Sequence, residues 1–159
     1  MSVALRAVSH DDYDVLFELM RDPESVWMAA FTSDDPNDRP AFEAWMARNA
    51  SSPGVTSNAV TYRGELVGTI ASFVDDGETE ITYWIDRAYW GRGIASQAVS
   101  LHLEAVAVRP IRAREASDNV RSLRVLEKAG FQAVGTEMSF AAARGIAIEE
   151  TILELRKVS

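Results

Sequence analysis

The chain has 159 residues, of which 47% are hydrophobic and 25% charged, and this composition indicates one globular domain spanning residues 1–159. Its net charge of −8 argues against nucleic-acid or anionic-membrane binding, because phosphate groups attract clustered Lys and Arg. The lack of cysteine excludes disulfides and thiolate metal sites, and with no long apolar run in the sequence we predict a cytoplasmic protein without a metal.

The first third of the chain predicts a strand followed by two helices. Residues 3–9 alternate in polarity like a strand, and Ser9 with Asp12 forms a capping box that opens a helix. Residues 22–40 include the polar, proline-bearing run FTSDDPNDRP, which we expect to be the mobile or substrate-facing part of the chain. Residues 41–49 then have the apolar spacing of a short helix.

The middle of the chain predicts three antiparallel strands. The runs SNAVTYR (57–63), ELVGTIASFV (65–74) and ETEITYWID (78–86) are rich in residues that favour strands. Tight turns at Gly64 and Gly77 separate these runs, and turns this short join neighbouring antiparallel strands. The sequence therefore predicts a meander.

Helices and strands mix in the rest of the chain. The predicted elements are, in order, a helix over 92–109, a strand over 111–117, a helix over 118–130, and strands over 131–138 and 150–157. Because this order is not an alternating βαβ series, a doubly wound parallel sheet is disfavoured. We predict a single-domain α/β fold of the α+β type, with a mixed, mostly antiparallel sheet flanked by helices.

The stretch YWGRGIASQAV, residues 89–99, has Gly91 and Gly93 at a junction between a strand and a helix. Backbone N–H groups at a helix start lack partners inside the helix and attract anions, and glycines let an anion approach closely. Arg87 or Arg92 could add positive charge there. The alternative is a tight turn that needs glycine for its conformation alone.

Four segments together resemble the consecutive motifs of one protein family. They are EITYWID (80–86), YWGRGIA (89–95), NVRS (119–122) and LEKAGF (126–131). In this order they resemble the GCN5-related N-acetyltransferase (GNAT) superfamily, and most of all its ribosomal-protein-alanine N-acetyltransferase branch. The resemblance covers nearly the whole chain and implies a GNAT-like fold.

The resemblance implies acetyl-CoA as the donor substrate, with its pyrophosphate on the loop and helix start at residues 90–96. The implied donor contacts are Trp84, Ile85, Asp86, Arg92, Gly93, Ile94, Ala95, Ser96, Asn119 and Ser122. Trp90 departs from the charged or amide residue of the general pattern, so binding is expected through backbone amides. Asn119 also fits a helix-start residue without any ligand contact.

Two residues are implied for catalysis. An amine attacks a thioester only when it is neutral, and Glu80 is the candidate base that removes its proton, directly or through water. A solvated glutamate at a strand edge is the alternative for Glu80. Ser122 could donate a hydrogen bond to the leaving sulfur. Leu126 stands where many relatives have a tyrosine that protonates the thiolate, so the usual general acid is missing.

The predicted function is transfer of acetyl from acetyl-CoA to a primary amine, of a protein N-terminus or a small molecule, by direct attack through a tetrahedral intermediate. The alternative is a non-catalytic acyl-CoA-binding sensor or interaction module. A homodimer is compatible with the family. The acceptor region carries no recognisable motif. Its acidic residues Asp34, Asp35 and Asp38 are compatible with a cationic acceptor or a basic peptide. Its aromatic residues either line an acceptor pocket or belong to the core; they are Trp27, Phe31, Phe42 and Trp45.

Overall fold

Seven strands and five α-helices make up the computed structural model, which describes residues 2–156. The strands are β1 (Val3–Arg6), β2 (Thr56–Tyr62), β3 (Glu65–Asp75), β4 (Glu78–Ile85), β5 (Ile111–Ala116), β6 (Gln132–Ala141) and β7 (Ile146–Leu155). The helices are α1 (Tyr13–Met20), α2 (Pro23–Ala29), α3 (Arg39–Ser51), α4 (Ile94–Ala105) and α5 (Val120–Lys128). Two short 3-10 turns lie at His10–Asp12 and Arg87–Tyr89.

The strands form one sheet in the order β1-β2-β3-β4-β5-β7-β6. Five of its six neighbouring pairs are antiparallel, and β4 with β5 is the parallel pair. The predicted meander is β2-β3-β4, because tight turns keep strands that follow one another in sequence side by side. The predicted mixed, mostly antiparallel sheet flanked by helices is thereby confirmed.

The parallel pair β4 and β5 opens the centre of the sheet. Thr79 pairs with Ile111 and Glu80 pairs with Arg112, near the start of both strands. Beyond these pairs β4 continues to Ile85 and β5 to Ala116, and the two strands diverge. A wedge-shaped gap therefore lies between two strands whose backbone groups face each other across it.

Packing of α4 and α5 against the sheet forms the main core. Its fully buried side chains include Val60, Ile70, Ile94, Val99, Ile111, Leu126 and Leu153. Leu126 is completely buried, so the residue in the place of the usual tyrosine serves packing. His102 of α4 is also fully buried, in agreement with a structural role for this histidine.

Helix α2 (Pro23–Ala29) was not predicted and lies before the run FTSDDPNDRP, which is irregular until α3 begins at Arg39. Pro23 occupies the first turn, where its missing N–H leaves no bond unmade, and the Asp22 side chain accepts a hydrogen bond from Ser25 N at 3.1 Å. Asp38 caps α3 in the same way, accepting from Ala41 N at 3.0 Å. Pro23 and Pro40 therefore lie in the first turns of α2 and α3 and do not interrupt them.

Other predicted boundaries shift by several residues. Helix α4 spans Ile94–Ala105 and not 92–109, because Gly93 has a left-handed backbone conformation that helical residues do not adopt. The last two strands form a longer hairpin than expected, with β6 reaching Ala141 and β7 starting at Ile146. The predicted end of the last strand at Lys157 lies outside the described residues. Among residues 2–156, no helix is long and apolar enough to cross a membrane.

Candidate active site

A pocket occupies the gap between the diverging strands β4 and β5. The second half of β4 and the end of β5 line its middle, and the starts of α4 and α5 line one end. Helices α2 and α3 line the opposite end. Predicted site residues from 80–85, 93–96 and 119–122, which are far apart in sequence, meet around this one space.

The glycine junction forms one end of the pocket. Gly91 and Gly93 have φ angles of 79° and 76°, which side chains other than glycine rarely adopt. Gly93 is the N-cap of α4 and has no side chain to occupy the free N–H groups of the first turn. Those amides belong to Ile94, Ala95 and Ser96, which line the pocket. The junction is thus a glycine turn and an uncapped helix start at once.

Trp90 holds this junction to the sheet. Its indole Nε1 donates to the carbonyl oxygen of Ile85 at 2.9 Å, and the Arg121 guanidinium lies 4.9 Å from its ring centroid. Arg87 is already paired with Asp22 at 2.8 Å, and the exposed Arg92 lies over the Tyr89 ring. Arg87 and Arg92 were both considered for added charge, and among the described residues only Arg87 forms a salt bridge.

The three predicted donor contacts at the end of β4 differ in orientation. Asp86 N donates to Val67 O on β3 at 2.7 Å, and the Asp86 carboxylate accepts from Ala88 N at 3.0 Å. The alternation of an antiparallel ladder turns the N–H of Trp84 towards β3 as well, and the N–H of Ile85 towards the gap. Trp84 and Ile85 line the pocket. Asp86 does not line the pocket, and its N–H and carboxylate both form hydrogen bonds within the fold, so its donor contact stays a prediction.

Asn119 is the N-cap of α5, as the helix-start reading expected. Its Oδ1 accepts from Ser122 N at 3.4 Å, and its Nδ2 donates to Met28 O on α2 at 3.4 Å. Asn119 thereby joins the two ends of the pocket. Ser122 is buried, and its Oγ lies 2.5 Å from the phenolic oxygen of Tyr83 on β4.

Glu80 lies buried on β4 at the point where the strands diverge. Its side chain accepts a hydrogen bond from Arg114 Nε on β5 at 2.8 Å. The Arg114 Nη1 also contacts Glu137 and Glu150, the latter at 3.3 Å. Burial raises the pKa of Glu80 and the Arg114 charge offsets this only in part, so its pKa lies above the ordinary value. The alternative of a solvated strand-edge glutamate is wrong.

A family model described as an acetyltransferase (GNAT) domain matches residues 2–132. The chain belongs to the GNAT acetyltransferase family. This confirms the resemblance of the four motifs, and it makes the chain an acetyl-CoA-dependent N-acetyltransferase. The non-catalytic sensor loses support accordingly.

Known GNAT proteins resemble the chain over almost its whole length. The uncharacterized N-acetyltransferase p20 of Bacillus licheniformis is 26% identical, over 98% of this chain and 93% of its own. Spermidine N-acetyltransferase from Vibrio cholerae, solved with CoA and spermine, has a TM-score of 0.84 at 15% identity, covering 98% and 95%. Mycobacterium smegmatis RimJ, solved with a CoA disulfide, has a TM-score of 0.80 at 22% identity, covering 97% and 81%. The two structures show a shared fold.

The donor of this GNAT protein is acetyl-CoA, and the uncapped start of α4 fits its pyrophosphate. Three free amides at a helix start attract an anion, and glycines leave open space beside them. Within the described residues, no group of three or more His, Asp or Glu side chains could hold a metal ion.

The acceptor end of the GNAT pocket is largely apolar. Phe31, Phe42 and Trp45 line it, so three of the four aromatic residues considered for this role face the pocket. Trp27 is instead exposed, with the Arg144 guanidinium stacked 4.5 Å from its ring centroid. Arg144 also donates to the carbonyl oxygen of Trp27 at 2.8 Å.

Acidic side chains also lie at this end, where each accepts a hydrogen bond from a nearby backbone N–H. Asp35 and Asp38 line the pocket. Asp35 accepts from Asn37 N at 2.9 Å and Asp38 from Ala41 N at 3.0 Å, which leaves further lone pairs on each carboxylate. Asp34, the third member of the predicted acidic set, is not among the pocket-lining residues.

The sequence analysis missed three polar residues of the site, Tyr83, Arg114 and Glu115. All three line the pocket. The available signal was REAS on β5, because two adjacent charged residues in an interior strand need specific partners. Burial raises the pKa of Glu115 to about 7.

Proposed function

We propose that this enzyme transfers acetyl from acetyl-CoA to the primary amine of a protein N-terminus or of a small molecule, by direct attack through a tetrahedral intermediate. The observation that carries the proposal is that one pocket joins an uncapped helix start to a buried glutamate of raised pKa. The first feature suits the donor's phosphates and the second suits removal of an amine proton.

For the donor, we propose contacts along the uncapped helix and the open strand edge. The amides of Ile94, Ala95 and Ser96 bind the pyrophosphate, and the exposed Arg92 adds charge. Trp84 and Ile85 contact the arm that leads to the thioester. Asn119 acts by fixing the start of α5, and so the position of Ser122.

For the reaction, we propose that Glu80 takes the amine proton, directly or through one water. The neutral nitrogen forms a bond to the thioester carbon, and the amide of Ile85 stabilises the oxyanion because it faces the gap. Collapse of the intermediate breaks the C–S bond and reforms the carbonyl. Ser122 Oγ donates a hydrogen bond to the departing sulfur.

For the acceptor, the pocket favours an amine attached to an apolar body. Phe31 and Trp45 offer aromatic surface, while Asp35 and Asp38 offer negative charge to a protonated amine waiting at the entrance. Amine acceptors occur among similar folds: one neighbour is a spermidine N-acetyltransferase and another, RimL, acts on the α-amino group of ribosomal L7/L12. The cytoplasmic location and the homodimer stay predictions.

A thiol-release assay tests the proposal. Purified enzyme is mixed with acetyl-CoA and either short peptides with free N-termini or small polyamines, and free CoA is followed with a thiol reagent. We expect acceptor-dependent CoA release with at least one amine carrying an apolar group. Acetyl-CoA binding in calorimetry without acceptor-dependent release for either class would contradict the proposed acceptors.

A further inference from the structure

Tyr83 of β4 contacts Ser122 in the first turn of α5. The phenolic oxygen of Tyr83 lies 2.5 Å from Ser122 Oγ and 3.4 Å from the backbone carbonyl oxygen of the same serine. Ser122 is buried, and both residues line the pocket. The serine hydroxyl that faces the departing sulfur in the proposed reaction therefore has a hydroxyl partner on the sheet.

The two faces of β4 separate this pair from the base. Side chains alternate along a strand, so Glu80 and Trp84 share one face and Tyr83 lies on the other. Trp84 packs with buried residues of α1 and α3, whereas Tyr83 packs against the core beneath α4 and α5. A thioester in the gap between β4 and β5 would thus meet the base on one face of the sheet and the hydroxyl pair on the other. The groups that serve the amine and the sulfur do not compete for the same space.

Tyr83 stays a neutral hydroxyl. Burial raises its pKa, and the nearby Glu115 charge acts in the same direction. Tyr83 therefore keeps its hydrogen, which makes it a fixed hydrogen-bond donor and not a source of protons. A phenol is also more acidic than an aliphatic alcohol, so the phenol is the better donor of the two hydroxyls and the serine oxygen is the better acceptor.

We propose that Tyr83 is a positioning residue for the leaving group, because its hydroxyl donates to Ser122 Oγ and so directs the serine hydrogen to the sulfur. A serine hydroxyl carries a single hydrogen. A phenol that donates to the serine oxygen cannot accept this hydrogen at the same time, which leaves it available to the sulfur. Polarisation along the two consecutive bonds makes the serine a stronger donor. This inference rests on the proposed function.

The bond changes need no proton from Tyr83. The amine nitrogen forms the C–N bond and gives its proton to Glu80, and collapse of the intermediate breaks the C–S bond with the electron pair left on sulfur. Ser122 Oγ donates a hydrogen bond to this thiolate. CoA takes up a proton from solvent afterwards, because a free thiol has a pKa of about 8.5. The tyrosine that is absent at Leu126 is thus replaced by a hydrogen bond and not by another acid.

A double-mutant cycle tests whether Tyr83 acts through Ser122. We expect kcat to fall about 100-fold in Ser122→Ala and about tenfold in Tyr83→Phe, with the Kd of acetyl-CoA within about twofold of wild type in each. The double variant should be no slower than Ser122→Ala, because the phenol then has no hydroxyl to orient. Additive losses of about 1,000-fold in the double variant, or wild-type kcat in Tyr83→Phe, would overturn the proposal.

Tyr62→Phe is the matched control for the loss of a phenolic hydroxyl. Tyr62 is half-buried on β2, as Tyr83 is on β4, but it does not line the pocket. Its variant should keep the kcat of the wild type. An equal loss of kcat in Tyr62→Phe would show that removing a phenol anywhere in this sheet slows the enzyme, and would overturn the specific role of Tyr83.

The complex with CoA gives a second measurement that needs no amine. A hydrogen bond from Ser122 stabilises the thiolate, so the thiol of bound CoA should titrate below its usual pKa of about 8.5. Ultraviolet absorbance of the thiolate follows this titration, with desulfo-CoA as the blank. Tyr83→Phe and Ser122→Ala should both raise the pKa of the bound thiol. An unchanged pKa in Tyr83→Phe would overturn the inference even if the enzyme acetylates amines, whereas a wild type that shifts the thiol pKa and acetylates no amine would count against the proposed function.

Discussion

Arg114 Nε donates to the Glu80 carboxylate at 2.8 Å, across the point where β4 and β5 diverge. The same guanidinium reaches Glu137 on β6 and Glu150 on β7, so one cation organises carboxylates from three strands. This arrangement fixes the Glu80 side chain at the mouth of the gap. It also limits how far burial can raise the pKa of Glu80.

Replacing Glu80 by glutamine should lower kcat/KM about 100- to 1,000-fold, because the amine loses its base. The wild-type rate should rise with pH as Glu80 loses its proton, with a midpoint above the ordinary pKa of glutamate, and this rise should vanish in Glu80→Gln. The measurement is a pH series of steady-state kinetics with a confirmed acceptor. Glu78→Gln, on the exposed start of the same strand, is the matched control. An unchanged pH profile in Glu80→Gln would show that Glu80 is not the base.

Replacing Arg114 by methionine should leave three neighbouring carboxylates without their shared cation. The pKa of Glu80 should rise further, since the main opposing influence on it is lost, and the acidic side of the rate profile should move to higher pH. The unfolding free energy should fall by about 2 kcal/mol. Urea unfolding and the pH profile check the two effects separately. A stable variant with an unshifted profile would contradict the coupling.

Replacing Gly93 by alanine should weaken acetyl-CoA binding about tenfold, because the left-handed cap of α4 would be lost and its free amides redirected. No heavy atom lies within 4 Å of the added carbon, so the effect would come from backbone strain of about 1 kcal/mol. Gly64→Ala, at φ +82° in the β2–β3 turn, has equal strain and serves as the control. Calorimetry should show weaker binding in Gly93→Ala and unchanged binding in Gly64→Ala.

The buried His102 should make the protein less stable in acid. Burial lowers its pKa, so the unfolded chain binds a proton at higher pH than the native protein does. Its stabilising contribution is therefore complete above about pH 6.5 and is lost below it, by up to about 1.4 kcal/mol per pH unit. His102→Leu should flatten this decline in urea unfolding at about pH 7.5 and about pH 5. The exposed His10→Gln should retain the decline.

Local patterns predicted much of the fold. The turns at Gly64 and Gly77 are enough to place β2, β3 and β4 side by side, and the apolar spacing locates α4 and α5. Helix α2 was not predicted, although Asp22 and Pro23 carry the cap and first-turn signals of a helix.

The candidate site was predicted less completely, because its polar contacts join strands distant in sequence. The motifs indicated Glu80, Ser122 and the glycine junction. The contacts of Arg114 depend on the register of β4, β5, β6 and β7, which no local pattern determines. The sequence also does not reveal which side of β4 each amide faces, and the structure turns the N–H of Asp86 towards β3.

Arg144 binds elements on both sides of the acceptor end. From the turn between β6 and β7 it bonds to the carbonyl oxygen of Trp27 on α2 and to the Asp118 carboxylate just before α5. Ala143 N adds a bond to Ala30 O at the end of α2. Substitutions in this hairpin should therefore shift α2 and change acceptor selectivity, while the start of α4, where we propose that the donor binds, keeps its position. Sequence changes in the hairpin can in this way alter the acceptor of the enzyme without altering its acetyl donor.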